Sequence, residues 1–139
     1  ICPYPEVDFA EDQLWAKNII ELGYKKAYAD DAIVYHSHNY NLKQTLQRSY
    51  DESRALKKLF GYNLCPSVLN IAYQTLACSK RDLAYQKKTA DNTDKLGFFN
   101  IIAWHFLKQL GFYLGDKFYS NHTVYRLISL DNAIKRKKK

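Results

Sequence analysis

The first third of the chain carries apolar residues at helical spacing. Over residues 9–22, Trp15, Ile19 and Leu22 recur on one face of a helix with 3.6 residues per turn, and Gly23 follows them as a stop signal. We therefore predict a first helix over this segment. The residues before it contain two prolines and fit no regular element.

A second helix is predicted from Leu42 to Phe60 by the signals at its two ends. Asn41 and Gln44 have the spacing of a capping box, in which each side chain accepts a hydrogen bond from the other's backbone N–H. Gly61 stands where a left-handed residue commonly ends a helix.

Two longer helical segments are predicted in the second half of the chain. Pro66 can open a helix that reaches about Gln86, followed by a polar loop over residues 87–95. Residues 96–114 are apolar for the length of a membrane span, but four polar side chains interrupt them, which favours an amphipathic or core-packing helix. These side chains are Asn100, His105, Lys108 and Gln109. A last short helix is predicted over residues 121–134.

One segment has the pattern of a strand. Residues 32–36, AIVYH, form an unbroken apolar run that ends at His36, as in a strand buried on both faces, and the KKAY before it is also strand-like. One such run cannot make a sheet alone, so its partner strands would lie elsewhere or come from another chain. The first part is predicted as helix–strand–helix and the second as helical, which makes the chain mainly α.

Positive charge is concentrated in the second part of the chain. Residues 1–62 hold 8 Lys and Arg against 9 Asp and Glu, whereas residues 63–139 hold 13 against 5, including the terminal KRKKK. This asymmetry points to an anionic partner, either a membrane surface or nucleic acid. A solvated basic face with a charged tail is the simpler explanation.

The cysteines and the start of the chain bear on its context. Cys2, Cys65 and Cys78 have neither disulfide nor zinc spacing, which is typical of free thiols in a reducing compartment. No signal peptide is visible, and the chain opens on Ile without any Met. This suggests a piece of a longer protein.

Glu11 and Asp12 open the first predicted helix, and the helical period puts Asp12 on the same side as Trp15 and Ile19. The helix dipole favours acids at this end by about 0.3–1 kcal/mol. That explains their position along the helix but not an acid on its apolar side. A carboxylate held in a partly dry site as a general base would explain both. On spacing alone, the two explanations remain open.

His36 and His38 stand two residues apart at the end of the predicted strand, so they face the same side of it. Imidazoles at such a strand end suit a divalent metal or a diphosphate. Histidines are also common at surface strand ends, so the pair alone does not decide.

The order of these features resembles family 2 glycosyltransferases, and more narrowly the bacterial rhamnosyltransferase-like branch that builds surface polysaccharides. The features are Glu11-Asp12, Gly23-Tyr24, AIVYHSH and the LKQTLQRSYDESRAL helix with its Arg48. Further on, FLKQLGFYLGDKFYS and YRLIS resemble the C-terminal extension of that branch. The likeness covers residues 3–62 well and residues 96–130 more loosely.

The resemblance implies a fold and an activity. Residues 1–62 would be the α/β end of a GT-A (nucleotide-diphospho-sugar transferase) domain, and residues 63–139 a mostly α-helical extension with a basic tail. The activity would be an inverting transfer of a sugar, with rhamnose as the candidate, from a nucleotide-diphospho-sugar to a growing, lipid-linked surface polysaccharide. The protein would work in the cytoplasm, peripherally at the inner face of the cytoplasmic membrane.

The resemblance also implies roles for individual residues. Asp12 matches the general base that deprotonates the acceptor hydroxyl, and Glu11 matches its neighbour near the acceptor. His36 matches a histidine that reaches a divalent metal, Mg or Mn, or the diphosphate. The remaining candidates are His38 and Arg48 for the donor diphosphate and Trp15 for the acceptor side.

The sequence departs from the family at the donor site, because it contains no Asp-x-Asp metal motif and no series of parallel strands. We therefore expect these 139 residues to be inactive alone. The alternative function is a non-enzymatic helical module that binds anionic membrane or a protein partner. Aromatic C-terminal helices would also suit a homodimer. Nucleic-acid binding is not expected, because no recognisable module is present.

Overall fold

A computed structural model describes residues 2–7, 9–35, 38–89 and 97–137, which are α-helical without any β-strand in those ranges. The prediction of a mainly α chain is confirmed. The helices of the described ranges are α1 (Glu11–Glu21), α2 (Leu42–Phe60), α3 (Val68–Thr89), α4 (Phe98–Lys117), α5 (His122–Ile128) and α6 (Leu130–Lys137).

The chain divides into two compact units, residues 1–39 and residues 40–139. The first unit contains α1, and the second contains α2 to α6. The division predicted after residue 62 concerns the extent of a catalytic domain, and it stays a prediction.

Both ends of α2 follow the signals in the sequence. The Gln44 N–H donates to Asn41 Oδ1 at 2.9 Å, and the Asn41 N–H donates to Gln44 Oε1 at 3.0 Å. Gly61 ends the helix with φ 75°, and its N–H donates to the Lys57 carbonyl. The left-handed conformation of Gly61 suits glycine because a Cβ would be strained there. The predicted capping box and the predicted stop are therefore confirmed.

Helix α2 packs on α4 at a distance that leaves no room for side chains at two positions. A Cβ added to Gly111 would lie 2.5 Å from the Leu46 carbonyl oxygen, and one added to Gly115 would lie 2.6 Å from the Tyr50 carbonyl oxygen. The GFYLG segment is thus a site of close helix–helix contact.

Helix α4 also contacts α3. Cys65, Ile71 and Phe112 form a buried apolar cluster there, and Leu64 and Leu110 pack at its edge. Because α4 packs against both α2 and α3, its apolar segment serves the core, as predicted. Among the described residues, no helix is long and apolar enough to span a bilayer.

The end of the chain forms two helices rather than the single one predicted. Ser129 interrupts them with ψ 129°, and its Oγ accepts from the Asn132 N–H at 3.0 Å. Asp51 of α2 accepts from the Leu130 and Asp131 N–H groups at 2.9 and 3.2 Å. Helix α6 therefore begins on a carboxylate that α2 supplies.

The strand predicted over residues 32–36 does not form in the described part of this segment. Ile33 is 79% exposed and Val34 is 81% exposed, in backbone without regular structure. The KKAY before it is irregular as well. A strand buried on both faces needs neighbouring strands, and the described residues contain none, so the apolar run stays exposed.

Candidate functional site

Glu11 and Asp12 follow a residue in an uncommon backbone conformation. Ala10 is left-handed, with φ 60° and ψ 30°, and it is buried. For a non-glycine residue this conformation costs roughly 1 kcal/mol. The Ala10 side chain offers no hydrogen bond to the start of α1, so the two acids supply the negative charge that the free N–H groups favour. Strained residues of this kind concentrate at functional sites.

The carboxylates of Glu11 and Asp12 are both exposed. Asp12 Oδ1 accepts a hydrogen bond from the Gln13 N–H at 2.8 Å. The expectation that Asp12 lies on a packed side with Trp15 and Ile19 does not hold, because α1 contains no buried residue. The Asp12 carboxylate is instead open to an approaching hydroxyl group.

Aromatic side chains lie beside these acids. The ring centroids of Tyr4 and Trp15 are 6.0 Å apart, and Trp15 Nε1 donates to the Cys2 carbonyl at 3.3 Å. Desolvation, followed by the charges of Glu11 and Asp12, raises the pKa of the Tyr4 phenol. Tyr4, Glu11, Asp12 and Trp15 therefore form one acidic–aromatic cluster. Its carboxylates can accept hydrogen bonds from hydroxyl groups, and its rings offer an apolar surface.

The two histidine candidates give little support for a metal or diphosphate site. His36 lies outside the described residues, and His38 is exposed in the first unit. Within the described ranges, no three His, Cys, Asp or Glu side chains lie close enough to hold a metal ion. The described residues therefore supply no such ligand set, and the divalent metal that the resemblance implies stays a prediction.

Arg48 lies in the second unit, on α2. Its guanidinium is 3.5 Å from Asp131 Oδ1, and both side chains are partly buried. Arg48 borders a cleft of about 520 Å³ between α2 and α6, together with Lys43 and Gln47. Because Asp131 already balances its charge, the diphosphate role of Arg48 stays a prediction.

Sequence reasoning missed the pair formed by Asp82 and His105. His105 Nε2 is 2.8 Å from Asp82 Oδ2, which links α4 to α3. The His105 side chain is 5% exposed and that of Asp82 is 43% exposed. A histidine inside an apolar helix signals a need for a polar partner. Which acid meets it depends on how α3 and α4 align, which their sequences do not specify.

One stretch of the chain is similar to two curated proteins. It is 48% identical over 42 residues to the O-antigen chain rhamnosyltransferase RfbN of Salmonella typhimurium, and 50% identical over 42 residues to the O-antigen chain rhamnosyltransferase WbaN of Salmonella anatum. The match covers 30% of this chain and 13% of either relative. No protein-family model matches the chain, and no solved structure matches at comparable significance. The chain is thus related to rhamnosyltransferases over a short segment.

Proposed function

We propose that this chain is the acceptor-side part of an inverting, family 2-like glycosyltransferase of the GT-A fold. The enzyme would add a sugar, with rhamnose as the candidate, to a growing surface polysaccharide of the O-antigen type. The supporting observation is the likeness to two O-antigen chain rhamnosyltransferases at 48% and 50% identity. Because the match covers 13% of either relative, the activity is proposed for the whole protein that carries this chain.

Asp12 is the general base in this proposal. The acceptor hydroxyl oxygen attacks the anomeric carbon of the donor sugar, the bond from that carbon to the diphosphate oxygen breaks, and the hydroxyl proton passes to the Asp12 carboxylate. The exposure of Asp12 supports this role, since the acceptor can reach it. Its place in the first turn of α1 puts the carboxylate at the end of the helix where negative charge is favoured.

The neighbours of Asp12 fit an acceptor that is itself a sugar. Glu11 adds a second carboxylate for hydroxyl groups, and the partly buried ring of Trp15 offers an apolar surface beside it. The Tyr4 ring lies next to Trp15 and widens that surface. Trp15 is therefore proposed to support the acceptor, and Glu11 to orient it.

The test is sugar transfer by the whole protein that contains this chain, compared with its Asp12→Asn variant. Loss of the base should lower kcat by about 100-fold or more. Glu6→Gln is the matched control, because Glu6 is an exposed acid of the same unit. An unchanged kcat in Asp12→Asn would contradict the assignment. We also expect no transfer from the 139 residues alone, since they contain no Asp-x-Asp motif.

The basic second half is proposed to hold the enzyme at an anionic membrane, near a lipid-linked acceptor. Clustered Lys and Arg are attracted to such surfaces by about 1 kcal/mol each. Sedimentation with vesicles tests this proposal, because binding should rise with the anionic lipid fraction and fall with salt. Binding that ignores lipid charge would contradict it.

A further inference from the structure

A cleft of about 530 Å³ opens in the second unit, and the reaction proposed above does not use it. Tyr40 and Leu42 line it at the start of α2, Asp82 lines it from α3, and Trp104 and His105 line it from α4. Its volume lies within the range of about 300–1,000 Å³ that small-molecule sites occupy. Such sites combine apolar walls with a few fixed polar groups, and this cleft has both.

The fixed polar group is the carboxylate of Asp82. Its Oδ2 lies 2.8 Å from His105 Nε2, within hydrogen-bond distance. This bond to a buried imidazole orients Asp82. Arg81 Nε lies 3.6 Å from Asp82 Oδ1, yet the Asp82 side chain is 43% exposed, so the carboxylate can still accept from a hydroxyl group in the cleft. Asn100 is exposed at the same cleft and adds a group that both donates and accepts.

Trp104 lines the same cleft and is held from two sides. Its ring centroid is 4.9 Å from that of His105, which meets it edge to face, and 5.2 Å from Lys108 Nζ. Trp104 remains 37% exposed. An oriented aromatic ring beside hydroxyl acceptors suits a sugar, since the C–H groups of the sugar ring pack on the aromatic ring while its hydroxyl groups bond the acceptors.

We propose that this cleft binds one sugar residue of the acceptor glycan, of the 6-deoxyhexose class. The choice of a glycan rests on the proposed function, whereas the cleft itself does not. A 6-deoxyhexose carries a methyl group in place of one hydroxymethyl group, which suits the apolar lining that Leu42 and Ile101 provide. A purely apolar ligand would cover Asp82 and His105 without giving Asp82 another donor, which is unfavourable.

The test measures binding of methyl α-rhamnoside and of a short rhamnose oligosaccharide to the full 139-residue chain. The chain has two tryptophans, so in the Trp15→Phe variant the tryptophan fluorescence, excited selectively over that of the tyrosines, reports Trp104 alone. Calorimetry on the unmodified chain gives a second measurement that needs no variant. We expect a saturable change in Trp104 emission, and Asp82→Asn should weaken binding about ten-fold, the loss typical of a hydrogen bond to a charged group. Asp30→Asn, an exposed acid of the first unit, should leave binding unchanged.

The outcomes separate the cleft from the catalytic proposal. Absence of saturable binding in both measurements, or equal affinity in Asp82→Asn and the unmodified chain, would overturn the sugar site. Tighter binding of an isoprenoid alcohol that excludes the rhamnoside would overturn it in favour of a lipid chain. Sugar binding that Asp82→Asn weakens, together with undiminished transfer in Asp12→Asn, would uphold the cleft and refute the proposed base.

Discussion

Gly115 meets Ser53 across the contact between α2 and α4 so closely that a Cβ added to Gly115 would lie 2.7 Å from the Ser53 Cβ. The Tyr50 carbonyl oxygen would lie at 2.6 Å and the Arg54 backbone nitrogen at 2.9 Å. Two of these three neighbours are backbone atoms, which cannot move without shifting α2. The separation of the two helices is therefore set by the absence of a side chain at Gly115.

Gly115→Ala should destabilise the protein, because the added methyl group would force α2 and α4 apart. Overpacking of this kind costs about 1–3 kcal/mol, and the better helix propensity of Ala offsets at most about 1 kcal/mol of that. Urea unfolding followed by circular dichroism measures the loss. Gly97→Ala is the control, since its nearest neighbour would be Asn100 at 3.7 Å. A loss in Gly97→Ala as large as that in Gly115→Ala would contradict this explanation.

Asp116→Ala should remove a buried hydrogen-bond acceptor that links α4 to α2 and to the segment before α3. Asp116 is 8% exposed, and it accepts from Ser53 Oγ and from the Cys65 N–H, each at 2.6 Å. Without it the buried Cys65 N–H has no partner, so we expect a loss of about 2 kcal/mol or more in the free energy of unfolding.

Asp116→Asn is the discriminating comparison for this site. Its amide oxygen can still accept from Cys65, and Ser53 Oγ can donate to the Phe112 carbonyl, which lies 2.8 Å away. The loss should therefore be smaller than in Asp116→Ala. Urea unfolding of both variants checks this order, and equal losses would show that the charge of Asp116, rather than its hydrogen bonds, stabilises the contact.

Glu52→Gln should make the protein more stable near neutral pH. Burial raises the pKa of Glu52 above its ordinary value of 4.5, against the opposing charges of Lys108 and Arg48. A raised pKa means that protonated Glu52 favours folding. This contribution is present below the unfolded pKa and is lost as pH rises through the folded pKa. Glu52→Gln removes the ionisable group. Its free energy of unfolding should therefore exceed that of the unmodified protein by an amount that grows from acid to neutral pH.

Urea unfolding at a series of pH values measures the gain of Glu52→Gln. Glu6→Gln, an exposed acid, serves as the control and should follow the unmodified protein at every pH. A gain that is constant with pH, or largest in acid, would contradict the sign. Burial also raises the pKa of Asp51, so both variants should keep part of the pH dependence of the unmodified protein.

Tyr50→Phe should not destabilise the protein, although Tyr50 is fully buried. Its hydroxyl group has no hydrogen-bond partner among the described residues, and burial raises its pKa to about 12 despite the nearby Arg54. Removing an unsatisfied buried hydroxyl group is neutral or stabilising by about 1 kcal/mol. Thermal unfolding checks this, with Tyr28→Phe as the control because Tyr28 is 93% exposed. A clear loss of stability in Tyr50→Phe would reveal a bond to the hydroxyl group.

Local signals predicted the helices well, because caps and stops act within a few residues. Asn41, Gln44 and Gly61 specify both ends of α2 by contacts inside one turn. The extent of α3 was predicted less closely, since it passes Gln86 and reaches Thr89. No cap residue marked that end.

Contacts between helices could not be predicted in the same way. Gly111 and Gly115 are four residues apart, a spacing that allows another helix to pack closely. The sequence does not indicate that Ser53 is the residue opposite. The pairing of His105 with Asp82 likewise depends on the alignment of α3 with α4. The AIVY run was predicted as a buried strand because its composition is apolar, but burial requires partners, and the described residues supply no strand to pair with it. The catalytic roles of Glu11, Asp12, His36, His38, Arg48 and Trp15 stay predictions.

Helix α6 begins on the Asp51 carboxylate, and this attachment allows the end of the chain to open separately from α2 and α4. No described side chain of α6 is buried, and polar links to α2 through Asp51 and Arg48 help to hold the helix. An element held in this way opens locally at a lower free energy than global unfolding requires. Amide hydrogen exchange in α6 should therefore outpace that in α2 and α4. The positive charges of Lys135 and Arg136 thus belong to a helix that can open locally while α2 and α4 stay folded.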